Sequence, residues 1–211
     1  MIDHNLSTLT PRTLIQKTVK LGVLGSTKGT DLQAIIDAIA DDRLNASVEI
    51  VISNRPKAYI LERATNHSIK NIFISHKGKA RENFDGEMTV ELKKHNVDLI
   101  LLIGFMRILS ADFCQEWEGR LLNVHPSLLP KYAGGIDTKV HEEVLANHDT
   151  ETGCTIHLVT AKVDCGTIII QKKCTVEPDD TPDTLKAKVQ KLEGKAFIEV
   201  IDRYSKTGKL E

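Results

Sequence analysis

The chain is poor in aromatic residues, at 4% of 211, and has four cysteines, none of them in a C-x-x-C pair. That scarcity excludes the disulfide framework of a small secreted domain. Cys114, Cys154, Cys165 and Cys174 are expected to be reduced, partly buried thiols, three of them in or beside β-type apolar runs. Eight histidines form no His/Cys cluster at ligand spacing, so no metal site is expected. No apolar run approaches the ~20 residues that span a bilayer. Neither sign of charge is in excess, with 28 Lys and Arg against 29 Asp and Glu. A general nucleic-acid or membrane surface is therefore not expected. Residues 1–19 are polar and lack the apolar core of a signal peptide. They are expected to form a mobile extension of a cytoplasmic protein, leaving residues 20–211 as one domain with a single core.

What the chain does have is alternation of strand and helix patterns. Lys20–Ser26, Val48–Ser53, Asn71–Ser75, Leu99–Ile103 and Leu121–Val124 are short apolar runs. Leu99–Ile103 is apolar at every position, as a central strand covered on both faces requires. Between the runs, Leu32, Ile35, Ile36 and Ile39 recur at helical spacing, as do Phe84, Met88 and Leu92. Tyr59–His67, a short segment after Ser110 and His141–Ala146 also fit helices. Cys154–Thr160 and Thr167–Thr175 suit an antiparallel hairpin with a short turn. Thr181-Pro182 starts a final helix whose face carries Leu185, Val189, Leu192, Ala196 and Val200. The pattern implies an α/β fold, a doubly wound, mostly parallel sheet with helices on both faces and a C-terminal antiparallel hairpin.

Asn123-Val124-His125-Pro126-Ser127-Leu128-Leu129-Pro130 follows the apolar pair Leu121–Leu122. Residues two apart on a strand point the same way, and the proline ends the ladder. Asn123 and His125 are thereby placed together at the carboxyl edge of the sheet, where α/β folds bind ligands. An amide beside an imidazole suits oxyanion stabilisation and proton transfer. A loop histidine, or one bonded to a backbone carbonyl, is the alternative. Gly25-Ser26-Thr27-Lys28-Gly29-Thr30 links the first strand to the first helix. It matches neither a Walker loop nor a G-x-G-x-x-G fingerprint. Its amides, hydroxyls and Lys28 suit a phosphomonoester at a helix N-terminus.

Three blocks give the chain a family resemblance. His125–Pro130 followed by Tyr132 and Gly134, Gly104–Leu109, and Gly153–Val159 with Val163–Gly166 resemble the signature blocks of folate-dependent formyltransferases. The match runs from about Lys20 to the C-terminus. The activity it implies is formyl transfer from 10-formyltetrahydrofolate, as co-substrate and without metal, to the amine of glycinamide ribonucleotide. Small molecules are then the partners, and the chain is a monomer or homodimer. The resemblance makes Asn123, His125 and Asp164 catalytic, with His125 acting as the charged ring or as a neutral donor tautomer and Asp164 favouring the charged form. It assigns Lys28, Gly29, Thr30 and Asp31 to the phosphate and Glu193, solvent-facing by periodicity alone, to ribose. Met106, Arg107, Ile108, Leu109 and Asn123 are assigned to the folate, with Arg81 at its acidic tail. His157 is expected near the same cleft. Thr27, Lys28 and Asp31 replace the commoner Gly and Asn residues, and a carboxylate beside a phosphate is unfavourable unless its amide makes the contact. The stretch Tyr132–His141 is longer than usual, with Asp137 near a common His position. A formyltetrahydrofolate deformylase or another formyltransferase of the same fold is the alternative. A non-catalytic nucleotide-binding module is the alternative from a different class.

Overall fold

The computed structural model describes residues 17–136 and 138–210. Most of the expected N-terminal extension, together with Asp137, lies outside the described residues. Strands β1 (Val19–Gly25), β2 (Ala46–Ser53), β3 (Asn71–Phe73), β4 (Leu99–Ile103) and β5 (Leu121–His125) pair in parallel. Strands β6 (Glu151–Leu158) and β7 (Ile168–Thr175) complete the sheet in antiparallel sense. The seven strands run β3-β2-β1-β4-β5-β6-β7. Order reverses between β1 and β4, so the loops after these two strands diverge and open a crevice at their carboxyl ends.

Side-chain alternation sorts the sheet into two cores. Leu99, Leu101 and Ile103 of β4 face one layer, while Ile100 and Leu102 face the other. The first layer is built from α1 (Thr30–Ala40), α2 (Tyr59–Asn66) and α6 (Pro182–Thr207), with Leu32, Ile35, Phe197 and Val200 fully buried. Helices α3 (Arg81–Lys94) and α4 (Ala111–Glu116) form the second, closing Phe84, Met88, Leu92 and Trp117 over the sheet. The expected stripe on α6 is buried at Leu185, Val189, Ala196 and Val200, with Leu192 half-buried. That helix begins with a capping box: Thr181 and Thr184 exchange side-chain and backbone hydrogen bonds, and Pro182 follows the cap. Its end is Gly208, in the left-handed conformation at φ 68°.

Three expectations need correction. β6 starts at Glu151 and ends at Leu158, so the segment to β7 is a loop over 159–167 and not a short turn. Local bonds build that loop: Thr160 Oγ1 donates to the Lys162 carbonyl at 3.0 Å, and the Leu158 amide donates to the Thr167 carbonyl at 2.9 Å. Helix α5 (Thr138–Ala146) starts earlier than His141, because Val140 is buried and belongs to its packed face. Cys165 is exposed, unlike buried Cys114 and Cys154.

Candidate active site

Asn123 and His125 stand at the end of β5 and both line the crevice, as their two-residue spacing requires. Antiparallel pairing sets His157 of β6 directly opposite Asn123. The Asn123 amide nitrogen lies 3.1 Å from His157 Nε2, while His157 Nδ1 lies 2.9 Å from the Leu158 carbonyl. A His157 that donates from Nδ1 accepts from Asn123 through Nε2, and the amide retains a second hydrogen for a ligand oxygen. His125 is 3% exposed. Its Nε2 lies 2.9 Å from the Tyr132 carbonyl and its Nδ1 3.3 Å from Asp164 Oδ2. The turn after His125 is held from below: Thr155 Oγ1 donates to the Ser127 carbonyl and accepts from the Leu129 amide.

Asp164 comes from the loop after β6 and sits in a left-handed conformation at φ 51°, one that Asp tolerates better than most residues. Its Oδ1 is 3.5 Å from His157 Nε2, and its Oδ2 accepts the Gly134 N–H at 2.8 Å. Asp164 therefore links both histidines to the stretch after Tyr132. Burial acts to raise its carboxyl. The adjacent His157 ring, the Gly134 amide and the His125 ring outweigh that and hold it below the usual carboxylate value. For His125 the charged form that Asp164 favours competes with burial. Burial dominates and lowers its pKa below the ordinary histidine value, although Asp164 and the Tyr132 carbonyl each pull it up. The ring is mostly neutral at neutral pH. Both its nitrogens nevertheless face acceptors, an arrangement that holds the imidazolium once a proton arrives.

On one side of these residues lies the loop from β1 to α1. Gly29 caps α1 with φ 67°, and a Cβ there would stand 2.4 Å from Ile60. Glycine is required both by conformation and by space. No side chain caps α1, so its first amides face the crevice together with exposed Lys28 and Thr30. Arg63 of α2 donates to the Lys28 carbonyl at 3.2 Å and also reaches the Gln33 side chain. Asp31 and Glu193 are buried at this end, 6% and 7% exposed. Glu193 therefore departs from the solvent-facing position that periodicity alone gives it. Lys186 and Gln190 of α6, along with His141 of α5, line the same end.

On the other side, the segment after β4 forms a partly apolar wall. Ser26 Oγ accepts the Met106 amide at 2.9 Å and donates to Asn54 at 2.6 Å, tying this wall to the loop after β1. The Ser110 amide donates to Asp85 at 2.6 Å. Arg107 stacks over Phe84, 5.3 Å from the ring centre. Met106 and Ile108 are exposed to the crevice, and Leu109 is buried beneath them. The whole crevice encloses about 610 Å³, in the range of pockets for drug-sized molecules. Arg81 stands apart, exposed in the first turn of α3 and outside the crevice wall.

Strand spacing placed Asn123 with His125 and the family resemblance added Asp164; the structure brings all three into one cluster of polar contacts through His157. Sequence reasoning left His157 peripheral, whereas that ring bridges Asn123 and Asp164. Its spacing of two from inward-facing Thr155 on β6 was the available signal. The Gly134 amide, the Tyr132 carbonyl and Arg63 had no signal of their own.

Residues 19–201 match the family model described as formyl transferase, and the chain belongs to that family. It is 40% identical over 184 residues to the phosphoribosylglycinamide formyltransferase of Escherichia coli (strain K12), a match covering 87% of this chain and 85% of that protein. It is 47% identical over 191 residues to the trifunctional purine biosynthetic protein adenosine-3 of Drosophila melanogaster, covering 89% of this chain but 14% of that protein. Among solved structures, phosphoribosylglycinamide formyltransferase from Coxiella burnetii superposes with a TM-score of 0.84 at 40% identity, over 90% of this chain and 88% of that one. A formyltetrahydrofolate deformylase from Pseudomonas syringae shares the fold at 23% identity and a TM-score of 0.77, over 85% of this chain and 58% of that one. Among the described residues no helix is long and apolar enough to cross a membrane.

Proposed function

We propose that this chain transfers a formyl group from 10-formyltetrahydrofolate to the amine of glycinamide ribonucleotide, as a cytoplasmic enzyme of purine synthesis. The observation that carries the reading is the group Asn123–His125–Asp164 placed between two unlike halves of one crevice. One half has uncapped helix amides, Lys28 and Thr30 for a phosphate, with Glu193 in reach of a ribose. The other half, Met106–Leu109, offers apolar surface and backbone groups for a flat ring, and Arg107 adds positive charge.

The chemistry follows from where these groups stand. Holding both substrates across β5 makes the attack of amine on formyl carbon effectively intramolecular, which is worth roughly 7–11 kcal/mol of barrier when alignment is good. As the carbon becomes tetrahedral, negative charge grows on its oxygen. The Asn123 amide donates to that oxygen, and His125 stabilises it when protonated. Asp164, held below the usual carboxylate value, is ionised and accepts the proton lost by the attacking nitrogen, directly or through water. A proton is returned to the leaving nitrogen through His125. His157 orients Asn123 and Asp164 from beneath.

A spectroscopic assay of formyl loss from 10-formyltetrahydrofolate, with and without glycinamide ribonucleotide, tests this reading. Formyl loss should depend on the ribonucleotide and match formylated product one for one. Loss to water at the same rate without the ribonucleotide would indicate a deformylase. Phosphate-ester binding with no formyl loss under either condition would indicate a non-catalytic module.

A further inference from the structure

The phenol of Tyr132 has no role in the mechanism above, yet it is tied down on the side of its segment away from the crevice. Its hydroxyl donates to Asp149 Oδ2 at 2.9 Å and accepts from the Asn147 side-chain amide at 2.9 Å. Lys131 Nζ lies 2.9 Å from Asp149 Oδ1 and 3.1 Å from Oδ2. Tyr132 and Asp149 line a separate recess of about 320 Å³ that shares no lining residue with the crevice. At its other end the same residue presents its carbonyl to His125 Nε2 and to the Gly135 amide, at 2.9 and 3.1 Å. Tyr132 holds this pose in a left-handed conformation at φ 61°, which a bulky side chain rarely adopts. Ala133, Gly134 and Ile136 beside it are exposed, so burial of its neighbours does not keep the carbonyl in place. A residue in this conformation persists only where its surroundings over-determine it. Asp164 grips the segment from the crevice side through the Gly134 amide. From the other side the grip is the phenol, satisfied as donor by Asp149 and as acceptor by Asn147.

We propose that Tyr132 and Asp149 are a positioning pair: the phenol–carboxylate contact fixes the Tyr132 carbonyl, and that carbonyl fixes the His125 ring for the reaction. The proposal rests on the formyl-transfer reading above for what His125 does, but not for how the ring is held. With the phenol anchored, the ring is set from two sides, by the Tyr132 carbonyl and by Asp164. With the anchor cut, the left-handed residue relaxes, its peptide turns, and Nε2 loses its acceptor. Misplacement of a reacting group by about an ångström costs as much as a hundredfold in rate. Loss of the acceptor also disfavours the protonated ring. Besides burial, the groups that bear on this ring are Asp164, His157 and the Tyr132 carbonyl. Asp149 is not one of them, so its action on His125 passes through Tyr132.

Tyr132→Phe, Asp149→Ala and the double variant test this in the full chain. Tyr132→Phe removes one oxygen and no charge. Each single variant should lose about ten- to hundredfold in kcat for formyl transfer to glycinamide ribonucleotide, with the KM for both substrates nearly unchanged. The double variant should lose no more than the worse single one, as two groups acting through one contact require. In an NMR titration, His125 should lose its proton at lower pH in Tyr132→Phe than in the unaltered chain. A folded Tyr132→Phe protein with native kcat and an unchanged His125 titration would overturn the proposal. Losses that multiply in the double variant would also overturn it, because the contact would not be shared. A raised KM with native kcat would do the same, since the segment would then shape binding alone. If Asp149→Ala does not fold, Asp149→Asn takes its place. Its amide oxygen still accepts the phenol, so it should keep most of the native kcat, and a loss as large as that of Tyr132→Phe would overturn the pair. Absence of formyl transfer in the unaltered chain would sink the function assigned above. The His125 titration would still decide the pair, a shift in Tyr132→Phe supporting it and no shift overturning it.

Discussion

Asp164 Oδ2 lies 3.3 Å from His125 Nδ1 across the joint between β5 and the loop after β6, and the same oxygen accepts the Gly134 amide. One carboxylate therefore sets the charge of the imidazole and anchors the stretch that supplies its other partner, the Tyr132 carbonyl. Replacing Asp164 with Asn keeps its size and removes its charge. Burial already lowers the His125 pKa, and Asp164 is the strongest influence raising it. Asp164→Asn should therefore lower it further. Below the variant's value both rings are charged, and above the native value both are neutral, so the difference appears between the two. The alkaline limb of the rate profile should move to lower pH if His125 governs it. NMR titration of His125 in both proteins measures the shift, read as a direction because the groups are coupled. An unchanged titration with normal turnover would reduce Asp164 to a loop former.

Lys28 is exposed on the loop after β1 while Ser26 of the same loop is buried and bonded to Met106, so the two should separate the substrates. Lys28→Ala removes a charge-assisted contact worth roughly 1.5–3 kcal/mol, about ten- to hundredfold in affinity for glycinamide ribonucleotide. Binding of the folate should change far less. Equal weakening of both ligands would mean that Lys28 shapes the site as a whole.

Ser26→Ala should do the reverse. The Met106 amide loses its acceptor in a part-buried hydrogen bond, a loss of roughly 0.5–1.5 kcal/mol. The wall Met106–Leu109 loosens, so the KM for the formyl-folate should rise more than that for the ribonucleotide. A KM change confined to the ribonucleotide would contradict the placement of the folate on this wall.

Gly166 fixes the far end of the loop that carries Asp164. A Cβ there would sit 1.7 Å from the Leu158 carbonyl oxygen, so Gly166→Ala must displace backbone. Overpacking of this kind costs about 1–3 kcal/mol, or a Tm lower by roughly 2–12 °C in a chain of this size. Turnover should fall with it as Asp164 leaves His125. Native Tm and turnover would show that the loop accommodates the added carbon without strain.

Elements whose cause is local were legible in the sequence. Leu99–Ile103 is apolar throughout because it is covered on both faces, and Thr181-Pro182 starts α6 because cap and proline act within one turn. The spacing of Asn123 and His125 gave their common side for the same reason. Features set by distant neighbours were not legible. Glu193 looked solvent-facing because nothing in its own helix says that α1 closes over it. His157 gained its place only from the register that puts β6 beside β5. The net pKa direction of His125 depended on how deeply the ring is buried, a quantity that motif spacing does not carry, so spacing alone did not decide between its charged and neutral donor forms.

The most direct test is the turnover of His125→Ala in formyl transfer to glycinamide ribonucleotide, measured alongside its circular dichroism and its affinity for each ligand. A group that stabilises the oxyanion and moves the proton contributes roughly 10²–10⁴-fold. The expected result is a folded protein that binds both ligands and has lost at least about a hundredfold in kcat. A folded His125→Ala protein with near-native kcat would contradict the assignment of His125, and with it the catalytic reading of this crevice.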